Sequence, residues 1–89
     1  MPEITLTIIH EVGLHARPAS MFVQTAAKYG SDIEVTHGET TANAKSILGV
    51  LTLGAHKGAE ITIKAEGEDA EEVLQALEQL VLDNFGEQS

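Results

Sequence analysis

Gly13-Leu14-His15-Ala16-Arg17-Pro18-Ala19-Ser20 is the stretch on which the reading of this chain turns. Gly13 accepts a positive φ at little steric cost and so allows a sharp turn. Pro18 lacks an N–H, which a helix does not need in its first turn. Beyond it Ala19, Phe22, Val23, Ala26 and Ala27 recur at the spacing of one buried helix face. The pattern predicts a turn feeding a helix, with His15 at the junction.

The first N–H groups of such a helix have no internal acceptor, carry partial positive charge and suit an anion. Arg17 adds a fixed charge and a planar fork of donors matched to phosphate oxygens. A neutral imidazole is a nucleophile at cellular pH. Together these residues describe a place to hold a phosphoryl group on His15, with Ala16 and Arg17 supplying the phosphate cradle. A histidine at a helix start also serves as a plain cap or surface residue, and spacing alone leaves both readings open.

Outward from this stretch the chain alternates between strand and helix patterns. Before it, Ile4, Leu6 and Ile8 alternate with Glu3, Thr5 and Thr7, a half-buried strand over Glu3 to Ile8. The helix runs from Ala16 to Tyr29, with Gly30 as its stop, and its solvent face carries Arg17, Ser20, Met21, Gln24 and Lys28. Ile33 and Val35 alternate with polar neighbours in a second strand. His37-Gly38-Glu39 makes a hairpin turn into a short third strand, Thr40 to Asn43. Ser46 to Leu53 is a short apolar helix closed by Gly54, and His56-Lys57-Gly58 is a loop. Ile61, Ile63 and Ala65 mark a fourth strand. Asp69 with Glu72 has the spacing of a capping box. Ala70, Val73, Leu74, Leu77, Leu80 and Val81 then stripe a last helix, and Asn84 to Ser89 reads as a frayed tail.

The order β-α-β-β-α-β-α, with every strand alternating, implies an α+β fold whose sheet has one wet and one covered face and favours antiparallel pairing. The short helix is informative in itself. Ile47, Leu48, Val50, Leu51 and Leu53 surround it almost completely, and a two-turn surface element cannot bury them all. Ile47, Leu48 and Leu51 are expected to stay exposed as an interaction patch. Ser46 heads this helix as an N-cap.

The chain of 89 residues has room for a single core, so residues 1–89 are read as one domain. It contains no cysteine, which removes disulfides and thiolate metal sites. No apolar run spans a membrane and no signal-peptide pattern opens the chain, so a soluble, cytoplasmic protein is expected. A formal net charge of −9 disfavours nucleic acid and anionic membrane as partners, although Arg17, Lys28 and Lys45 can still share a basic face. His10, His37 and His56 fall in loops or turns and read as solvated surface residues. No metal site or cofactor is expected, because no cysteine or close histidine pair supports one. No carboxylate pair stands beside His15 in sequence to act as an acid–base couple.

Gly13-Leu14-His15-Ala16-Arg17-Pro18-Ala19 resembles the active-site signature of HPr, the histidine-containing phosphocarrier family of the phosphoenolpyruvate:sugar phosphotransferase system. Asn43-Ala44-Lys45-Ser46-Ile47-Leu48-Gly49-Val50-Leu51 resembles the regulatory serine segment of that family. Gly58 to Ile63, running into Ala65 to Ala70, resembles its last strand and final helix start. The three blocks lie in order over nearly the whole chain. The resemblance implies an open-faced β-sandwich with strand order 1-4-2-3, covered by three helices. It implies a phosphocarrier rather than an enzyme. In it His15 accepts a phosphoryl group at Nδ1 from Enzyme I and passes it to IIA domains of sugar permeases. It further implies a docking surface of Ser20, Met21, Gln24, Lys28, Lys45, Ile47, Leu48 and Leu51. Ser46 would be the target of a serine kinase/phosphorylase and the link to a catabolite repressor, in a monomeric protein. Val12, Gln24 and Ala27 depart from residues common in the family. The same class in a nitrogen-related relay or a dihydroxyacetone kinase system, a regulatory homologue acting only through Ser46, and an unrelated metal-binding domain are the alternative readings.

Overall fold

In the computed structural model, which describes residues 2–9, 16–83 and 85, the alternating segments form one sheet. Its strands are β1 (Glu3–Thr7), β2 (Asp32–His37), β3 (Thr40–Asn43) and β4 (Glu60–Glu66). All neighbours are antiparallel and the order is β1-β4-β2-β3. The helices are α1 (Ala16–Ala27), α2 (Ile47–Thr52) and α3 (Ala70–Leu82). The expected α+β open-faced sandwich is therefore the fold.

The register explains why the sheet has two unlike faces. Ile4 lies opposite Ile63, Ile63 opposite Val35, and Val35 opposite Ala42, so an apolar row crosses every strand. The next residues along give the polar row Thr5, Thr62, Thr36 and Thr41. Its hydroxyls pair at 3.2 Å (Thr5 with Thr62) and 3.1 Å (Thr36 with Thr41). A period of two residues sends these rows to opposite faces. The helices cover the apolar row. Phe22 and Ala26 of α1, Val50 of α2, and Val73, Leu77 and Val81 of α3 have no exposed surface. Burying a side chain the size of Phe22 or Val50 contributes about 1.5–3 kcal/mol.

Several boundaries differ from the sequence expectation. The β1–β4 ladder outlasts the strand: Ile8 N–H donates to the Ala59 carbonyl at 2.8 Å, and Gly58 N–H to the Ile8 carbonyl at 2.8 Å. Ile8 is thus buried as expected, though it lies just beyond β1. α1 stops at Ala27, and Ala27 is exposed rather than part of the buried face. The chain leaves through 3.2 Å bonds from Lys28 and Tyr29 N–H to the Thr25 and Ala26 carbonyls. Gly30 has no positive φ and does not cap the helix; its N–H is engaged elsewhere. The hairpin loop is Gly38-Glu39 alone, with Gly38 at φ 61°, because His37 still pairs with Thr40. Phe85 is only 2% exposed and joins the core, so the segment after α3 is not wholly a frayed tail. Burial of a large aromatic surface outweighs the entropy of letting that residue fray. Asn84 and residues 86–89 lie outside the described residues.

Candidate functional site at the N-terminus of helix α1

α1 begins at Ala16 and carries no acidic residue in its first turn. N–H groups in the first turn of a helix have no acceptor within it, and this turn carries no carboxylate, so its end of the dipole favours an anion. Pro18 and Ala19 are buried and anchor the first turn of α1 to the core, while Arg17 is exposed. The anchoring follows from the sequence: the two small apolar residues face inward and the guanidinium faces solvent. His15, Gly13, Val12 and His10 lie outside the described residues, as does the predicted turn.

On the next turns of α1, Met21 is 37% exposed, Gln24 is exposed and Ser20 is half-buried. Gln24 Nε2 donates to Ser20 Oγ at 3.1 Å, an (i, i+4) pair along the helix. α1 packs against α2, and this contact places a second set of expected residues. Ser46 is the N-cap of α2, and its Oγ accepts from Gly49 N–H at 3.1 Å. Ile47, Leu48 and Leu51 are 39%, 73% and 37% exposed, while Val50 and Leu53 turn inward. A two-turn helix has only one side to bury, so the division follows the sequence expectation.

Lys45 has a different role from the one expected. Its Nζ donates at 2.7 Å to the Tyr29 carbonyl, just past the end of α1. There the carbonyls lack helical partners and a cation is favoured. Lys28 and Lys45 thus gather at the far end of α1 from Arg17, roughly 16 Å away by helical rise. The three basic residues do not form one cluster.

Other residues have roles that sequence reasoning passed over or assigned differently. Gly49 sits in mid-helix, where a glycine is unfavourable. A Cβ there would meet Ala42 Cβ at 3.2 Å and Ser46 Oγ at 3.3 Å, so the bare backbone lets α2 approach β3 and keeps the cap intact. An isolated glycine inside an apolar helix is the sequence signal for such an approach. Asp69 heads α3 but makes no side-chain cap bond, so the expected capping box is not formed. Its carboxylate instead accepts from Gly30 N–H at 2.9 Å and Ser31 N–H at 3.0 Å, and from Ser31 Oγ. His37 is half-buried rather than solvated, with Nδ1 2.7 Å from the Leu53 carbonyl. Its ring centroid lies 6.2 Å from that of His56, a pair that separation in sequence conceals. The groove of about 420 Å³ on the open face of the sheet, bordered by Asp32, Glu34, Thr41, Lys64 and Glu66, shares only Lys45 with the expected site residues.

The model of the family described as the PTS HPr component phosphorylation site matches residues 2–83. The chain belongs to the HPr family. The HPr-C-His protein of Thermoanaerobacter tengcongensis superposes with a TM-score of 0.96 at 46% identity, over 100% of both chains. The histidine-containing phosphocarrier protein of Mycoplasma gives 0.89 at 39% identity, over 99% of this chain and 100% of its own. A dimer of the Thermoanaerobacter tengcongensis HPr gives 0.79 at 47% identity, over 98% and 100%. As an HPr-family phosphocarrier of the phosphotransferase system, the chain has its family's sheet order and its three covering helices. Among the described residues no helix is long and apolar enough to cross a membrane.

Proposed function

We propose that this HPr-family chain carries the phosphoryl group on His15. The observation that carries the reading is that α1 includes Ala16 and Arg17, the residues that follow His15 in the sequence, with no acidic side chain in its first turn and with Arg17 exposed. The phosphoryl group leaves Enzyme I, itself charged by phosphoenolpyruvate, and forms a P–N bond to Nδ1 of His15. The N–H groups of Ala16 and Arg17 and the Arg17 guanidinium balance its charge. The same bond then breaks as the group passes to an IIA domain of a sugar permease. Such transfer depends on positioning and charge stabilisation rather than on covalent machinery of the carrier. The protein is a substrate of its partners in the cytoplasm, and it acts as a monomer.

Docking is assigned to Ser20, Met21, Gln24 and Lys28 on α1 with Ile47, Leu48 and Leu51 on α2, Lys45 bracing the two helices. Exposure of the three α2 side chains supports this. Ser46 is the regulatory site, open to a serine kinase/phosphorylase and, once modified, to a catabolite repressor. The test is incubation with Enzyme I and phosphoenolpyruvate followed by intact mass. The protein gains one acid-labile phosphate and His15→Ala gains none; a phosphorylated His15→Ala protein would overturn the assignment.

A further inference from the structure

We propose that His37 and His56 form a binding site for a late first-row divalent transition ion, with Zn²⁺ as the representative. The two residues come from different elements, the end of β2 and the segment joining α2 to β4. Their ring centroids lie 6.2 Å apart with the planes at 87°. His37 Nδ1 is 2.7 Å from the Leu53 carbonyl and His56 Nδ1 is 3.1 Å from the Lys57 carbonyl. A carbonyl only accepts, so each Nδ1 holds the proton of the neutral ring, and each Nε2 keeps its lone pair.

That tautomer is the one that suits a metal-bound imidazole. The ligating nitrogen is free, and the other ring nitrogen donates to a backbone oxygen that sets tautomer and orientation. Zinc–nitrogen bonds of 2.0–2.1 Å place the centroids of two imidazoles on one ion about 5–6 Å apart, according to the angle at the metal. The 6.2 Å spacing lies just beyond that range, so the exposed His56 ring has to move inward to close the pair on an ion. Imidazole nitrogen selects zinc, copper or nickel over magnesium or calcium. Among the described residues no group of three or more His, Cys, Asp or Glu side chains converges. The ion therefore keeps exchangeable positions, unlike a closed structural zinc. It fastens the β2 end to the segment after α2 and binds only the folded chain, so it stabilises the fold by mass action.

The test is zinc chloride titrated into the intact protein, read by long-range ¹H–¹⁵N spectra of the histidine rings and by thermal melting. The Nε2 resonances of His37 and His56 move along one saturating curve while both Nδ1 atoms keep their protons, and the melting temperature rises. Loss of an outer-shell partner alone weakens metal binding about 10–100-fold, so H37Q and H56Q each weaken zinc by about tenfold or more. His56 is exposed, so H56Q remains folded and decides the matter even if H37Q is destabilised. No saturable shift at millimolar zinc, a shift confined to His10 or His15, or unchanged affinity in H56Q overturns the proposal.

Discussion

Asp69 grips Ser31 across the fold: one carboxylate oxygen accepts both the backbone N–H and the hydroxyl of Ser31, and the other accepts Gly30 N–H. This clamp joins the start of α3 to the chain between α1 and β2. Its hydrogen bonds, that of the Ser31 hydroxyl first and that of Gly30 N–H next, hold the Asp69 carboxyl below its ordinary value of 3.8. A depressed carboxylate pKa contributes stability that is present above the unfolded value and is lost as pH falls through the folded one. Asp69→Asn is therefore expected to lower the urea midpoint at pH 7 and to lose less stability than the parent on acidification below about pH 4. Urea curves across that range check both signs; identical acid limbs would rule out the clamp as their source.

Gly67 lies under the same clamp with φ 149°, and a Cβ there would stand 2.5 Å from Ser31 Oγ and 2.8 Å from Ser31 Cα. Gly67→Ala is expected to cost about 1–3 kcal/mol, the range for overpacking. Trimming the neighbour with Ser31→Ala does not rescue it, because the clash with Cα remains. Gly30→Ala meets nothing within 4 Å and stays within about 0.5 kcal/mol of the parent. Denaturant midpoints of the three variants test the contrast.

Arg17→Lys is expected to fold as well as the parent, since the side chain is exposed, yet to accept phosphate more slowly. Lysine keeps the charge but loses the bidentate fork. Enzyme I-dependent phosphorylation rates at saturating phosphoenolpyruvate give the answer, and a parental rate would show that charge alone serves.

Ser46→Ala removes the acceptor for Gly49 N–H and is expected to cost about 0.5–2 kcal/mol. Ser46→Asp keeps a capping acceptor and places negative charge at the favourable end of α2, so it loses less. Phosphate on Ser46 is tolerated by the fold for the same reason but puts roughly −1.5 to −2 charges beside Ile47 and Leu48. Phosphorylation of His15 by Enzyme I then slows, and by less at high salt. Rates at two ionic strengths separate this from a steric block, which salt does not relieve.

Leu48 and Val50 are neighbours on α2 with opposite surroundings, 73% and 0% exposed. Leu48→Ala is expected to change stability by no more than about 0.5 kcal/mol while slowing phosphorylation by Enzyme I. Val50→Ala costs about 1.5–3 kcal/mol of stability, the scale of burying that side chain. Melting curves beside transfer rates show whether the two roles divide this way.

Where alternation or helical spacing was unbroken, the sequence by itself determined the outcome. Ile4, Leu6, Ile33, Val35, Ile61 and Ile63 could face only one way once their strands formed, because a period of two leaves no choice. The stripe from Ala70 to Val81 and the exposure of Leu48 were settled in the same manner. The Ser46 cap was legible because it rests on a bond within three residues. Tertiary structure decided whatever depends on atoms distant in the chain. Asp69 had the spacing of a local cap, yet its carboxylate found Gly30 and Ser31 on another segment. Lys45 looked like a free surface charge until folding brought it to the Tyr29 carbonyl. Phe85 followed polar residues and read as tail, but the core had a place for its ring. His37 and His56 became neighbours only when the hairpin and the segment after α2 met at one end of the sheet. Local periodicity records which face of an element is apolar; it carries no information about which distant polar group will be there to meet it.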